Sequence, residues 1–261
     1  NDADGGSNSA NIVIDIVDDK PVARDDSASV TEDTHTSVTD NVITNDSSGA
    51  DSPASFVAWT SPLNGTWGTL TDNGLGGYTY TLHDDASVQA LNKGEHQTDT
   101  FTYTMQDADG DIKTATLTVT VNGSNDDPTI VVHTGNPENS NDTVYEAGLT
   151  GGTQAGEAET HAGGTFTLGD ADGLSNIAGI TIGTTTIAIA DLGNNNVING
   201  SNGTLTITHY DSNTGEVTYT YDLTSPVGNA VGSDAGSDNF TVTVNDADGG
   251  SNSANIVIDI V

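Results

Sequence analysis

The chain has 261 residues, 38 Asp and Glu against 4 Lys and Arg, and a formal net charge of −34, a surface that repels the phosphates of nucleic acids and acidic membranes. It contains no Cys, which excludes disulfides and thiolate zinc sites, and no apolar run approaches membrane-spanning length. The acids are scattered and apolar residues alternate between them, so the chain reads as folded and not as an acidic coil. In chain order, strict alternation marks strands at residues 78–82 (YTYTL), 101–105 (FTYTM), 117–121 (LTVTV), 205–209 (LTITH), 217–221 (VTYTY) and 240–244 (FTVTV). Each puts large apolar side chains on one face and Thr on the other, the pattern of half-buried antiparallel strands. Thr is β-branched and suits the solvated face of a sheet. Between the runs stand DNGLGG, SGADSP and NNNVINGSNG, which are turn chemistry. No amphipathic helical stretch of useful length interrupts them, so the expected fold class is all-β, with short strands at sandwich spacing.

Seventeen residues, NDADGGSNSANIVIDIV, stand at 1–17 and again at 245–261. Identity at that length implies a recent tandem duplication, with residues 1–17 as the last strand of a preceding copy. Two acidic, proline-bearing junctions, VDDKPVARDD at 17–26 and VNGSNDDPTI at 121–130, each follow an alternating strand and precede a fresh extended segment, as inter-domain linkers do. The expected organisation is a terminal strand plus linker over 1–19, a first β-sandwich over 20–125 and a second over 126–261. An orphan strand carrying Ile12, Ile14 and Ile16 on one face is expected to seek a sheet edge, in its own chain or by strand exchange between molecules through residues 1–17.

Asp-Ala-Asp-Gly occurs four times, at Asp2/Asp4, Asp107/Asp109, Asp170/Asp172 and Asp246/Asp248. A single copy is ordinary turn chemistry. Four copies, each with two carboxylates on alternate residues, need counter-charge, yet all four cations (Lys20, Arg24, Lys93, Lys113) precede residue 128. Hard oxygen ligands without Cys or His select Ca²⁺ over transition metals. The loops are not EF-hands: the twelfth positions are Val13, Thr118, Thr181 and Val257, where that loop needs a bidentate Glu. Six scattered His (35, 83, 96, 133, 161, 209) show no catalytic spacing. Only Trp59 and Trp67 could serve as sugar platforms, so paired-carboxylate glycoside chemistry is not expected. The chain reads as a non-enzyme.

Residues 20–127, with GTLTDNGLGGYTYTL, the Gly94-Glu95 pair and DTFTYTMQDADGDIKTATLTVTVNGSNDDP, resemble a VCBS-type bacterial Ig-like or cadherin-like repeat. Residues 128–261, with VYEAGL, GTFTLGDADGL, NGTLTITHYDSNTGEVTYTYDL and DNFTVTVNDADGG, resemble the companion repeat of type I secreted giant adhesins of the RTX class. The Gly-Gly-x-Gly-x-Asp nonapeptide is absent, so RTX membership enters only through these neighbours. The resemblance implies tandem Ig-like, cadherin-like sandwiches with calcium-binding junctions. The module would be an extender that projects a distal ligand-binding module from a bacterial cell surface for adhesion or biofilm formation. A calcium-dependent carbohydrate- or protein-binding adhesin module is the alternative. Implied partners are neighbouring repeats of the same chain, without nucleic acid or membrane insertion, and the implied location is extracellular, after type I secretion. By the same resemblance Asn125, Asp126 and Asp127 would form a linker core, with Gly123 where the cadherin pattern has a leading Asp. Glu32 would join them from one side and Asp170, Asp172, Asp246 and Asp248 from the other. An upstream junction would use Asp18, Asp19, Asp107 and Asp109, with Asp46 and Asp51 as further candidates. Glu146 would be the equivalent of Glu32 at the next junction.

Overall fold

The computed structural model describes residues 4, 9–133, 143–228 and 236–261, and these fall into two compact units. One gathers the described residues up to Val30 with Thr34–His83 and Gln97–Val121; the other gathers Thr31–Asp33, Asp84–His96 and Asn122–Val261. The second unit thus includes two short pieces that precede residue 126 in sequence, among them Glu32.

The first unit contains strands β1 (Asp26–Thr31), β2 (Ser37–Asn41), β3 (Ser55–Trp59), β4 (Gly68–Gly74), β5 (Gly77–Leu82), β6 (His96–Gln106) and β7 (Ile112–Asn122). They form one sheet in the order β1-β7-β6-β3 and another in the order β2-β5-β4. The alternation read from the sequence is the burial pattern observed: Tyr78, Tyr80 and Leu82 on β5, Phe101, Tyr103 and Met105 on β6, and Leu117, Val119 and Val121 on β7 are buried. Trp59 packs its ring against Phe56, Tyr78 and Tyr103, so it is a core-flanking residue and not an open stacking platform.

A one-turn helix, α1 (Ala86–Gln89), follows Asp85, whose carboxylate caps the Ser87 and Val88 amides. The second unit continues with β8 (Thr129–His133), β9 (Thr143–Val144), β10 (His161–Gly169), β11 (Ile177–Ile182), β12 (Thr185–Ala188) and β13 (Asn196–Asn199). It closes with β14 (Gly203–Tyr210), β15 (Glu216–Leu223), β16 (Gly236–Asp246) and β17 (Ser251–Ile260). Two five-stranded sheets result, β13-β14-β15-β10-β8 and β12-β11-β16-β17-β9. In the β16–β17 hairpin Phe240 faces Ile256 and Val242 faces Ala254. Thr241 and Thr243, on the outer face, bond Asn255 and Ser253 across the strands. That division of apolar and hydroxyl side chains fixes the register, because a one-residue slip would exchange the two faces.

Each sandwich also carries a buried carboxylate clamp. Asp99, 5% exposed, accepts the backbone N–H groups of Thr66, Trp67 and Gly68 at 2.8, 3.0 and 3.1 Å and the Tyr80 hydroxyl at 2.7 Å. Asp238, 2% exposed, accepts those of Asn202 and Gly203, each at 3.0 Å, and the Tyr221 hydroxyl at 2.7 Å. The turns are NGTWGTLT and NGSNGTLT. Their first glycines, Gly65 and Gly200, leave the space into which the carboxylate fits; a Cβ at Gly200 would lie 2.5 Å from Asp238 Oδ2.

The amino-terminal segment departs from expectation. Residues 9–17 form no strand, and Ile12, Ile14 and Ile16 are 89%, 78% and 92% exposed, so the segment pairs with no sheet edge of its own chain. The place this sequence would take beside β16 is filled by its identical copy in β17, which reaches that position through a short hairpin at far higher effective concentration. The rest of the repeated segment, apart from residue 4, lies outside the described residues.

Candidate metal centre

The second unit gathers its acids at one end of the β10/β16/β17 framework. Asp246 closes β16 and turns the chain: its Oδ1 accepts the amides of Asp248, Gly249 and Gly250. Its Oδ2 takes the Asn125 side-chain amide at 3.0 Å. Burial pushes the Asp246 pKa up, but these donors outweigh it and hold the carboxyl below its ordinary value, as expected for a carboxylate with several N–H partners. Gly250 is required here because a Cβ would lie 2.5 Å from Asp127 Oδ1 and still closer to Asp246 Oδ2. The loop after β10 supplies Asp170 and Asp172, the Asp170 carboxylate capping the Asp172 amide at 2.9 Å. Asp172 Oδ2 in turn accepts the Asp126 backbone N–H at 3.0 Å. Asn176, buried, reaches both Asp172 and Asn125 through its amide. Glu32, 0% exposed, accepts the Ser124 amide at 2.6 Å.

These bonds leave oxygen lone pairs unused. Asp126 Oδ2, Asp170 Oδ2 and Asp172 Oδ1 are buried and have no hydrogen-bond donor. Burial, aided by neighbouring carboxylates, raises Asp126 and Asp172 above the ordinary Asp range, takes Asp170 up to about 6, and takes Glu32 up to about 7. Orphaned, acceptor-only oxygens of mutually repelling carboxylates are a donor set for a hard cation, and the residues present therefore fit Ca²⁺. Asn176 was not singled out from the sequence: it stands four residues after Asp172, outside the Asp-Ala-Asp-Gly motif, and nothing local marks it for this role.

Glu146 stands elsewhere. Its N–H donates to the Val261 carbonyl at 2.9 Å, and its Oε1 accepts the Val227 amide. That places it beside the far end of β17, about 30 Å of strand from the Asp246 loop. Its backbone bond to Val261 parallels that of Glu32 to Asn122.

The first unit has its own acidic cluster around the β6–β7 turn. Asp18, Asp51 and Asp109 bring ligand oxygens within 4.8 Å of one another, the one such trio among the described residues. Asp107, 2% exposed, caps the Gly110 and Asp111 amides with Oδ1, while its Oδ2 is buried without a donor. The neighbouring Asp107 carboxyl, more than burial, pushes Asp109 up to about 6. Two candidates are placed differently. Asp19 accepts the Ala50 amide at 2.8 Å, and Asp46 accepts the Arg24 amide and meets the Tyr103 hydroxyl with Asp26; both tie the 42–51 loop to the sandwich.

Comparison with known proteins places the fold of the first segment. Residues 18–123 match the family model described as a bacterial cadherin-like domain, which covers less than half of the chain. No curated protein matches the chain. Among solved structures it is similar to PcdhgB3 EC1-4, with 15% identity, a TM-score of 0.48, and coverage of 96% of this chain and 51% of that one. It is similar also to the Protocadherin GammaB4 extracellular domain, with 18% identity, a TM-score of 0.47, and coverage of 95% and 33%. For the human Desmocollin-1 ectodomain the identity is 14%, the TM-score 0.37, and the coverage 95% and 38%. The chain thus spans about half or less of these structures. The chain is all-β, with the bacterial cadherin-like match confined to residues 18–123, and among its described residues no helix is long and apolar enough to cross a membrane.

Proposed function

We propose that the chain is a calcium-rigidified extender repeat of a bacterial cell-surface adhesin of the RTX class, working next to other copies of itself. The observation that carries this reading is the set of buried, donor-less oxygens on Asp126, Asp170 and Asp172. They belong to the linker and to the loop after β10, and the linker's Asn125 and Asp126 are already bonded to Asp246 and Asp172. Asp126, Asp170, Asp172, Asp246, Asp248, Asp127, Asn125 and Glu32 would hold Ca²⁺ in the second unit, and Asp18, Asp51, Asp107 and Asp109 in the first. Bound Ca²⁺ would supply counter-charge that the chain lacks, replacing repulsion between loops with shared coordination. An extracellular site filled only outside the cell suits a chain exported by type I secretion, loose in low cytosolic calcium and stiff at the surface. Calorimetric titration tests this: wild type should bind several Ca²⁺ at about 10⁻⁴ to 10⁻³ M. The Asp126→Ala, Asp127→Ala double variant should lose part of that stoichiometry while remaining folded. Undetectable binding by wild type would end the proposal.

A further inference from the structure

The two acidic loops share the Asp-Ala-Asp-Gly turn, but their neighbours differ in charge. In the second unit the position after that turn is Gly250, beside the carboxylates of Asp127 and Asp246, and beyond residue 128 the chain has no Lys or Arg. In the first unit the same position is Asp111, and Lys20 follows the Asp18-Asp19 pair directly. Lys20 Nζ lies 2.8 Å from Asp111 Oδ2. Asp111 is within hydrogen-bonding range of Asp18, and the charges of Asp18 and Asp107 also act on Lys20. The ammonium therefore sits beside the group formed by Asp18, Asp51 and Asp109, and the Asp107 carboxyl, whose Oδ2 is buried without a donor, adjoins Asp109.

We infer that Lys20 is a tethered counter-cation of the first acidic loop, which holds that cluster together without metal and competes with a divalent cation for it. This rests on the reading of the loops as calcium sites. The tight carboxylate trio lies beside Lys20, whereas the acidic loops of the second unit, which no Lys or Arg ion-pairs among the described residues, are knitted through the Asn125 and Asn176 amides and keep three oxygens without donors. The two sites should consequently differ in kind: one partly neutralised before metal arrives, the other dependent on it.

The test uses the whole chain and follows the backbone amide resonances of residues 107–111 and of residues 246–250 during calcium titration. Lys20→Gln removes the charge and keeps most of the stem. It should tighten calcium binding at 107–111 by about threefold to tenfold, the order expected for one unit charge several Å from a divalent ion in a solvated site. The 246–250 loop should keep its wild-type affinity. In EDTA the same variant should exchange its 107–111 amides faster, because the metal-free cluster has lost its counter-ion. Lys93→Gln makes the same change in net charge and serves as control. Equal tightening in both variants, or an unchanged 107–111 isotherm in Lys20→Gln, would overturn the inference while leaving the calcium reading intact. Absence of calcium binding by wild type at either loop would instead remove the reading on which it rests.

Discussion

Asp99 and Asp238 show how single side chains hold these sandwiches closed. Each carboxylate gathers backbone amides and a Tyr hydroxyl at one buried point. Replacing Asp238 with Ala should cost about 3 kcal/mol or more, since several buried donors lose their partner together, and urea unfolding would measure it; Tyr221→Phe should cost about 1 kcal/mol. Protonation gives a second residue-scale expectation. Burial raises the folded-state pKa of Glu32 to about 7 and that of Asp170 to about 6, above the ordinary carboxyl range. A raised carboxyl pKa means that the folded state binds more protons than the unfolded one between the ordinary and the raised value, so metal-free stability should rise as pH falls from about 7.5 toward 5. In saturating calcium the trend should weaken or reverse, because protons then compete with the ion. Melting curves from pH 5 to 7.5, with EDTA and with Ca²⁺, check both signs. The acidic turns were legible because Asp-Ala-Asp-Gly is local. The clamps were not, since Asp99 meets residues 66–68 only after the sheets have closed.

At the scale of elements, period-two alternation was enough to locate strands, because Thr and the large apolar residues segregate to opposite faces in β5, in β16 and over residues 114–121 of β7, where only Ile112 at the strand's start lies exposed on the Thr face. It did not reveal which copy of a repeated strand would be used. The sequence of β17 and that of residues 7–16 are the same, yet one is paired with β16 and the described part of the other is exposed. Covalent proximity decides between identical segments, and alternation carries no such information. Deleting residues 1–17 should therefore leave the melting temperature unchanged and remove any association that the exposed Ile12, Ile14 and Ile16 support, as read by sedimentation. Within β17, Ile258 is 0% exposed, and Ile258→Ala should cost about 2–5 kcal/mol. A loss within 0.5 kcal/mol would mean the hairpin tolerates a cavity that a close-packed core should not.

For the whole molecule, the central claim is that stability is completed by a divalent cation, because a chain of net charge −34 concentrates donor-less carboxylate oxygens in loops that its few cations cannot neutralise. Each site with a dissociation constant of about 10⁻⁴ to 10⁻³ M adds about 1.4 to 2.7 kcal/mol at 10 mM Ca²⁺, and two or more such sites shift a melting temperature on the order of 10 °C. Mg²⁺ holds its waters and demands tight octahedral geometry, so it should substitute poorly for Ca²⁺ among flexible carboxylates. The most direct measurement is differential scanning calorimetry of the intact chain in 10 mM Ca²⁺, in 10 mM Mg²⁺ and in excess EDTA. The account predicts a melting temperature higher in Ca²⁺ by on the order of 10 °C than in EDTA, with Mg²⁺ close to the EDTA value; superimposable curves in all three would contradict it.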